Sequence, residues 1–449
     1  MLFDNWRKRT GKRDGRNGIQ EMDRQDRNVL IFEDSMELIR KNKRLREAVK
    51  TSVATQKMVT EIEWVGSPLS DRDGDKGSHT GSCKTVVSRK RSFEAAQPYA
   101  KAGKKVCVLN FASSTGPGGG VEEGCSAQEE CLCRCSTLYP CLSSEEMLES
   151  FYYPHRARNI MIGSDDCIYT PGVVVFKSDI SFPERMEEED WYTVDVLTCA
   201  APDLRWLRND GSGRDREEDM GEITDEELKG ILLNRIERIF QLAASNGAEV
   251  LILGAFGCGA FRNPPKIVAE AFFEIQKIYG AFFDTIEYAV FCGGGEQGNY
   301  VSFCEQFGMP AFYDVSRFLE AQEESYECAL AELKRGCKES HWMWYIFPQL
   351  TGLGYSRTAR FYALSGLAEA RAYLDDPVLK ARMKELCEVL LASNHNDAEE
   401  IFPYPDDLKF CSCMTLFEQA DSEDPIYGQL LDKMCGGRRD EKTLQLLKG

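Results

Sequence analysis

Apolar positions along this chain change their period twice. Across residues 33–63 they fall at helical spacing, with Leu38, Ile39, Leu45 and Val49 along one stripe and no Gly or Pro between them, which predicts one helix over the stretch. Residues 92–102 read as a second helix. From there to about residue 291 the signal is a series of short runs rich in β-branched residues: Val106–Phe111, 173–176, 193–197, Val250–Leu253 and 286–291. Helical periods over 225–244 and 264–279 are interleaved with them, and Thr224 and Glu227 stand at capping-box spacing before the first. Several runs carry no polar residue, as strands covered on both faces do. The expected fold is therefore α/β, three layers around a largely buried sheet.

Beyond Gly308-Met309-Pro310 the strand signal stops. Helical periods over 316–334, 376–392, 406–420 and 424–434 take its place, and Asp376-Pro377 and Asp424-Pro425 supply an N-cap followed by proline at the first helical position. The chain thus divides into a basic, disordered tail (1–27), an α/β domain (28–309) and a separate all-helical domain (311–449). Two polar segments interrupt the α/β part. One is a low-complexity loop at 66–82, the other an acidic, Gly-rich insertion at 208–227, and Gly293-Gly294-Gly295 reads as a tight turn.

Composition narrows the function classes. A chain of 449 residues with 43% hydrophobic content can hold two cores, and it contains no apolar run long enough to span a bilayer and no signal-peptide pattern, so a cytoplasmic protein is expected. The 18 cysteines form no Cys-x-x-Cys pair and only 4 histidines accompany them, which fits a reducing compartment better than a disulfide framework. Cys131, Cys133 and Cys135 would not converge from one helix, so no metal is assigned. A net charge of −18 argues against general binding to nucleic-acid backbone, which depends on Lys and Arg. Any polyanionic ligand must be held locally, by backbone N–H groups and helix N-termini.

One stretch supplies such a place. Gly118-Gly119-Gly120 follows the strand Val106–Phe111, and Gln128-Glu129-Glu130 opens a helix shortly afterwards. Glycines let the backbone approach a phosphate closely, and two adjacent carboxylates beside that cradle suit general acid and base work on a glycosidic bond. Side by side in a closed pocket, the two should not both ionise, so one carboxyl is expected to hold its proton more tightly. A second glycine turn, Gly254 to Gly259, follows Val250–Leu253 and precedes a helix, the arrangement that offers N–H groups to a diphosphate.

These residues, with Val108 to Ser114, Ser136-Thr137-Leu138-Tyr139, Tyr169-Thr170-Pro171, Ala200-Ala201-Pro202 and Gly254 to Phe261, resemble the microbial-type poly(ADP-ribose) glycohydrolases of the macrodomain superfamily over roughly residues 28–308. The resemblance implies a mixed sheet and no cofactor. It also implies a metal-independent hydrolase that releases ADP-ribose from poly- or mono-ADP-ribose conjugates. It assigns Glu130 as acid and base and Glu129 to the ribose hydroxyls. Asn110, Gln128 and the three glycines lie around the distal ribose, while Gly257, Cys258 and Gly259 lie at the diphosphate, with Phe261 packed on the terminal ribose. Asp203 departs from the pattern, where Asn is usual. The ligand that the resemblance implies is ADP-ribose, free or on a polymer, protein or nucleic acid. The other class is a non-catalytic ADP-ribose reader or a scaffold. The C-terminal part resembles a domain of unknown function sometimes labelled calpastatin-like, through Arg317 to Gln322, Ser340 to Leu350, Gly352 to Gly354 and Asp407 to Lys409. That resemblance implies an all-α fold and no activity. His341, Trp342 and Trp344 beside Phe347-Pro348 form either a core wedge or a ligand pocket.

Overall fold

A computed structural model describes residues 23–60, 83–158, 162–205, 223–293 and 297–448. The expected tail up to residue 22, the loop at 66–82, the insertion up to residue 222 and two glycines of the Gly293 turn lie outside the described residues. Two compact units emerge: residues 1–291 with 299–309, and residues 292–298 with 310–449.

The first unit opens with two corrections. Residues 24–27, expected within a disordered tail, are the first turn of a helix capped by Asp23. The single helix expected over 33–63 is two helices, α1 (Arg24–Lys41) and α2 (Lys43–Thr55), followed by strand β1 (Lys57–Val59). Asn42 makes the break. Its extended backbone ends α1 while its N–H donates to Leu38 O, and its side-chain oxygen accepts from Leu45 N to start α2. Asn competes with the helix through its side chain, a signal that an absence of Gly and Pro does not reveal.

The strands and longer helices that follow in this unit include β2 (Lys84–Ser88), α3 (Ser92–Lys101), β3 (Val106–Phe111), α4 (Gln128–Cys135), β4 (Cys167–Val175), β5 (Tyr192–Cys199), α5 (Asp225–Ser245), β6 (Val250–Leu253), α6 (Pro265–Tyr279) and β7 (Thr285–Ala289). The sheet order is β1-β4-β5-β3-β6-β7-β2. Strands β5, β3, β6, β7 and β2 run parallel, β4 runs against β5, and β1, antiparallel to β4, runs in the direction of β5 again, so the sheet is mixed. Thr224 caps α5 as its sequence indicated, donating and accepting reciprocally with Glu227.

Alternation along the strands assigns the layers. Val106 and Val108 share a buried cluster with Val194, Val196, Val250 and Ile252, closed by Phe93 of α3, Leu132 of α4 and Phe32 of α1. On the other face Tyr288 of β7 meets Phe272 of α6 at 5.5 Å, and α6 is tied to α5 where Gln241 Nε2 donates to Tyr279 Oη at 2.8 Å. Each such fully buried aliphatic side chain contributes roughly 1.5–3 kcal/mol, so the central strands dominate the stability of the unit. Because the parallel strands point the same way, the loops after β3, β5, β6 and β7 gather at one edge. In open α/β sheets that edge is where ligands bind.

The second unit has long helices α7 (Ser316–Arg335), α8 (Leu367–Asp375), α9 (Pro377–Ala392), α10 (Asp406–Ala420) and α11 (Ile426–Met434). Asp376 accepts from Val378 N and Leu379 N, so the Asp-Pro start of α9 is a true cap. Trp342 and Phe347 sit in the core, the Trp342 indole N–H donating to Glu332 at 2.8 Å, whereas His341 is exposed and Trp344 lies beneath Lys409 Nζ at 4.2 Å. Cys411 and Cys435 are joined as a disulfide, a single bond rather than a framework, since the other described cysteines are free thiols. Helix packing brings together two cysteines that share no recognisable spacing.

A buried ion pair defines where this unit begins. Glu369 pairs with Arg317 Nη2 at 2.8 Å and accepts from Ser365 N at 2.7 Å and from Gln297 Nε2 at 2.6 Å. Gln297 Oε1 in turn accepts from Asp314 N at 3.1 Å. Gln297→Ala leaves Asp314 N without that acceptor and removes a donor from a buried carboxylate. It is expected to cost about 1–3 kcal/mol, read as a lower urea midpoint for the transition of the second unit alone.

Candidate active site

The glycine loop after β3 is held by its own backbone and by one apolar anchor. Gly119 N donates to Gly116 O, Val121 N to Gly118 O and Cys125 N to Gly120 O, all within 3.1 Å, and Val121 is fully buried. Gly118 and Gly119 adopt φ of +70° and +56°. A Cβ on Gly118 would stand 2.7 Å from the Tyr139 ring, and one on Gly119 would stand 2.6 Å from Glu130 Oε1. Only glycine fits both the conformation and the space.

Helix α4 brings the triplet under this loop. Gln128 Nε2 donates to Leu109 O at 2.8 Å and to Ser92 Oγ at 2.9 Å, and its Oε1 accepts from Phe111 N at 2.9 Å. Its amide therefore ties the start of α4 to β3 and α3. That fastening places the next two side chains.

Glu129 is 2% exposed. Its Oε2 accepts from Ser113 N at 2.7 Å and its Oε1 from Asn110 Nδ2 at 3.3 Å, with a further backbone hydrogen bond from Gly118. Burial pushes the Glu129 carboxyl up to about 8, and the charge of Glu130 adds to this while the N–H donors oppose it. The rise therefore comes mainly from desolvation, with like charge second to it. The sign of the stability effect follows. The unfolded carboxyl titrates near 4.5 and the folded one near 8, so this group's contribution is full below the first value and is lost as pH rises to the second. Glu129→Gln is expected to flatten the fall in melting temperature of the first unit between about pH 5 and about pH 8, measured by thermal scans of both proteins across that range.

Glu130 Oε1 accepts from Gly120 N at 3.0 Å. Its Oε2 is buried and has no hydrogen-bond partner. Asn110, fully buried at the end of β3, divides its Nδ2 between Glu129 and Thr198 Oγ1 at 3.2 Å, and its Oδ1 is likewise buried without a partner. Two acceptor atoms of the site are thus buried without a partner in the protein. Thr198 is the register neighbour of Asn110 on β5. No local pattern in the sequence singles it out.

The other loops close the same edge. At Gly254 a Cβ would meet Ala289 O at 2.5 Å and the Phe111 ring at 3.0 Å, and at Gly257, with φ +72°, it would meet Ala201 Cβ and Asn263 Nδ2 at 2.5 Å each. Asn263, 1% exposed, donates to Pro202 O at 2.7 Å and to Gly257 O at 3.1 Å, stitching the β5 loop to the β6 loop. Its one local signal is its place just before Pro264 and a helix start, which marks a turn and no ligand. Burial holds the Cys258 thiol well up, so it is no nucleophile near neutral pH. Gly259 faces open space. Phe261 is half-buried with the Arg205 guanidinium 5.4 Å from its ring, and Arg205 also grips Asp203. On the rim by β7, the Arg91 guanidinium lies 3.8 Å from the ring centroid of Phe291. Cys133 and Cys135, two of the three clustered cysteines, are core residues.

Two parts of the chain match known families. Residues 27–178 match the family described as microbial-type PARG, catalytic domain, and residues 312–447 match the protein of unknown function DUF1810. No curated protein matches the chain. The crystal structure of poly(ADP-ribose) glycohydrolase from Thermomonospora curvata is 27% identical with a TM-score of 0.51, covering 62% of this chain and 99% of that one. The same enzyme bound to the inhibitor ADP-HPD gives the same values.

Proposed function

From a chain that carries a microbial-type PARG catalytic domain and a DUF1810 domain, we propose a hydrolase that cleaves ribosyl glycosidic bonds of ADP-ribose conjugates and releases ADP-ribose. The observation that carries the reading is the pair of buried, unfilled acceptors, Glu130 Oε2 and Asn110 Oδ1, set under a glycine loop at the ligand-binding edge of the sheet. Ribose hydroxyls and a water are donors of the kind both atoms lack.

General acid catalysis needs a proton on the carboxyl that faces the leaving group. Glu130 delivers that proton to the leaving ribose oxygen as the glycosidic bond breaks, because its Oε2 is the carboxyl oxygen that no protein group holds. The carboxylate so formed takes a proton from the water that attacks the anomeric carbon, which restores the starting state. Glu129, fixed by three donors, holds the ribose hydroxyls in register. Gly118 to Gly120 wrap the distal ribose, Gly257 to Gly259 receive the diphosphate, and Phe261 packs on the terminal ribose. The substrate is ADP-ribose joined to a macromolecule, and the setting is the cytoplasm.

The test is incubation of the full chain with poly(ADP-ribose), mono-ADP-ribosylated protein and ADP-ribosylated DNA, with free ADP-ribose measured in each. Release from at least one is expected. Binding of ADP-ribose with no release from any of the three would replace the hydrolase by a reader.

A further inference from the structure

We propose that helix α1, through Asn28, is a positioning element for the acid and base of the site; this rests on the glycohydrolase reading above. Three successive carbonyls at the far end of the glycine loop are held from outside the loop. Gln25 Nε2 donates to Glu123 O at 2.7 Å, Asn28 Nδ2 to Gly124 O at 2.9 Å, and Arg134 Nη1 to Cys125 O at 2.6 Å. Helix α1 supplies the first two. It also fixes the carboxylate helix, since Ser35 Oγ donates to Arg134 O at 2.6 Å.

The grip reaches Glu130 in three hydrogen bonds. Asn28 secures Gly124, the adjoining Cys125 N donates to Gly120 O at 3.0 Å, and Gly120 N donates to Glu130 Oε1 at 3.0 Å. Helix and loop are in direct backbone contact, because a Cβ on Gly124, at φ +80°, would lie 2.3 Å from Gln25 O. Bracing of this kind is what a glycine loop requires. With positive φ at Gly118, Gly119 and Gly124, and Val121 the one fully buried side chain between them, local propensity does not select its shape. Asn28 is 2% exposed, so its amide is committed to the loop and away from solvent. Displacing reacting groups by about 1 Å is enough to cost ~100-fold in rate.

Asn28→Ala and the isosteric Asn28→Asp both remove the donor. In the full chain, at a temperature where circular dichroism shows each variant folded, kcat on an ADP-ribose conjugate is expected to fall about 10- to 100-fold. KM and the Kd for free ADP-ribose should stay within about threefold, a split that general loss of structure does not produce. Gln25→Ala, at an exposed position, should lower kcat by about 3- to 10-fold at an unchanged melting temperature. Should both Asn28 variants unfold, Gln25→Ala decides, and an unchanged kcat there overturns the proposal. Variants as active as an active wild type overturn the proposal alone, and so do kcat and ADP-ribose affinity falling in parallel. A wild type that releases no ADP-ribose from any conjugate overturns the hydrolase reading and with it this one.

Discussion

Glu130→Gln is expected to lower turnover of ADP-ribose conjugates by about 10³–10⁴-fold while the affinity for free ADP-ribose stays within about threefold. The substitution preserves shape and one contact, because the amide oxygen of Gln accepts from Gly120 N as Oε1 does. What changes is Oε2, the buried oxygen without a partner. An amide there neither gives a proton to a leaving oxygen nor takes one from water, so acid and base are lost together. Single-turnover release of ADP-ribose, with isothermal titration of the product, separates the two quantities. Hydrolysis within tenfold of wild type would remove Glu130 from the chemistry, and the buried Glu129 would become the candidate.

Gly119→Ala should be nearly as damaging, at about 100-fold or more in kcat/KM. Its Cβ would stand 2.6 Å from Glu130 Oε1 and 3.2 Å from Glu129 Oε2, at a φ of +56° that an L-residue adopts at a cost of ~1–2 kcal/mol. Either the carboxylates give way or the loop does, and both movements break the Gly120 to Glu130 hydrogen bond. Gly103→Ala is the control for backbone strain, since Gly103 has φ +80° with nothing within 4 Å of its Cβ. It should cost stability and leave kcat/KM unchanged. Equal activity of the two variants would show that the close fit of Gly119 against the two carboxylates is not needed for turnover.

The parts of this molecule that were legible in its sequence are those whose signal is local. Strands β3 and β6 and helix α10 have the limits their periodicity indicates, because buried runs and amphipathic turns write their own boundaries. The Glu pair and the glycines stand close together in the chain and were read as one site. Edge strands β1 and β2 were not read, since Lys57-Met58-Val59 and Lys84 to Ser88 are short and half exposed and become strands by pairing with β4 and β7. Asn28, Thr198 and Asn263 were missed for a related reason. Each is an ordinary polar residue whose meaning comes from a backbone or side chain far away in sequence. Gln128 is informative in the opposite sense, because its place in the motif was legible while its partners, Ser92, Leu109 and Phe111, were not.

The pairing of β2 with β7 has a consequence for biosynthesis. Lys84 aligns with Thr285, and β7 is the neighbour of β2 in the sheet order, so strand β2 leaves the ribosome about 200 residues ahead of its partner. At translation rates of about 5–20 residues per second, that interval is roughly 10–40 s. Throughout it Val86 and Val87 belong to an unpaired strand whose backbone groups are open to another nascent chain. The exposure of this strand should therefore end as residue 289 clears the exit tunnel, and slowing translation between β2 and that point should lower the soluble yield.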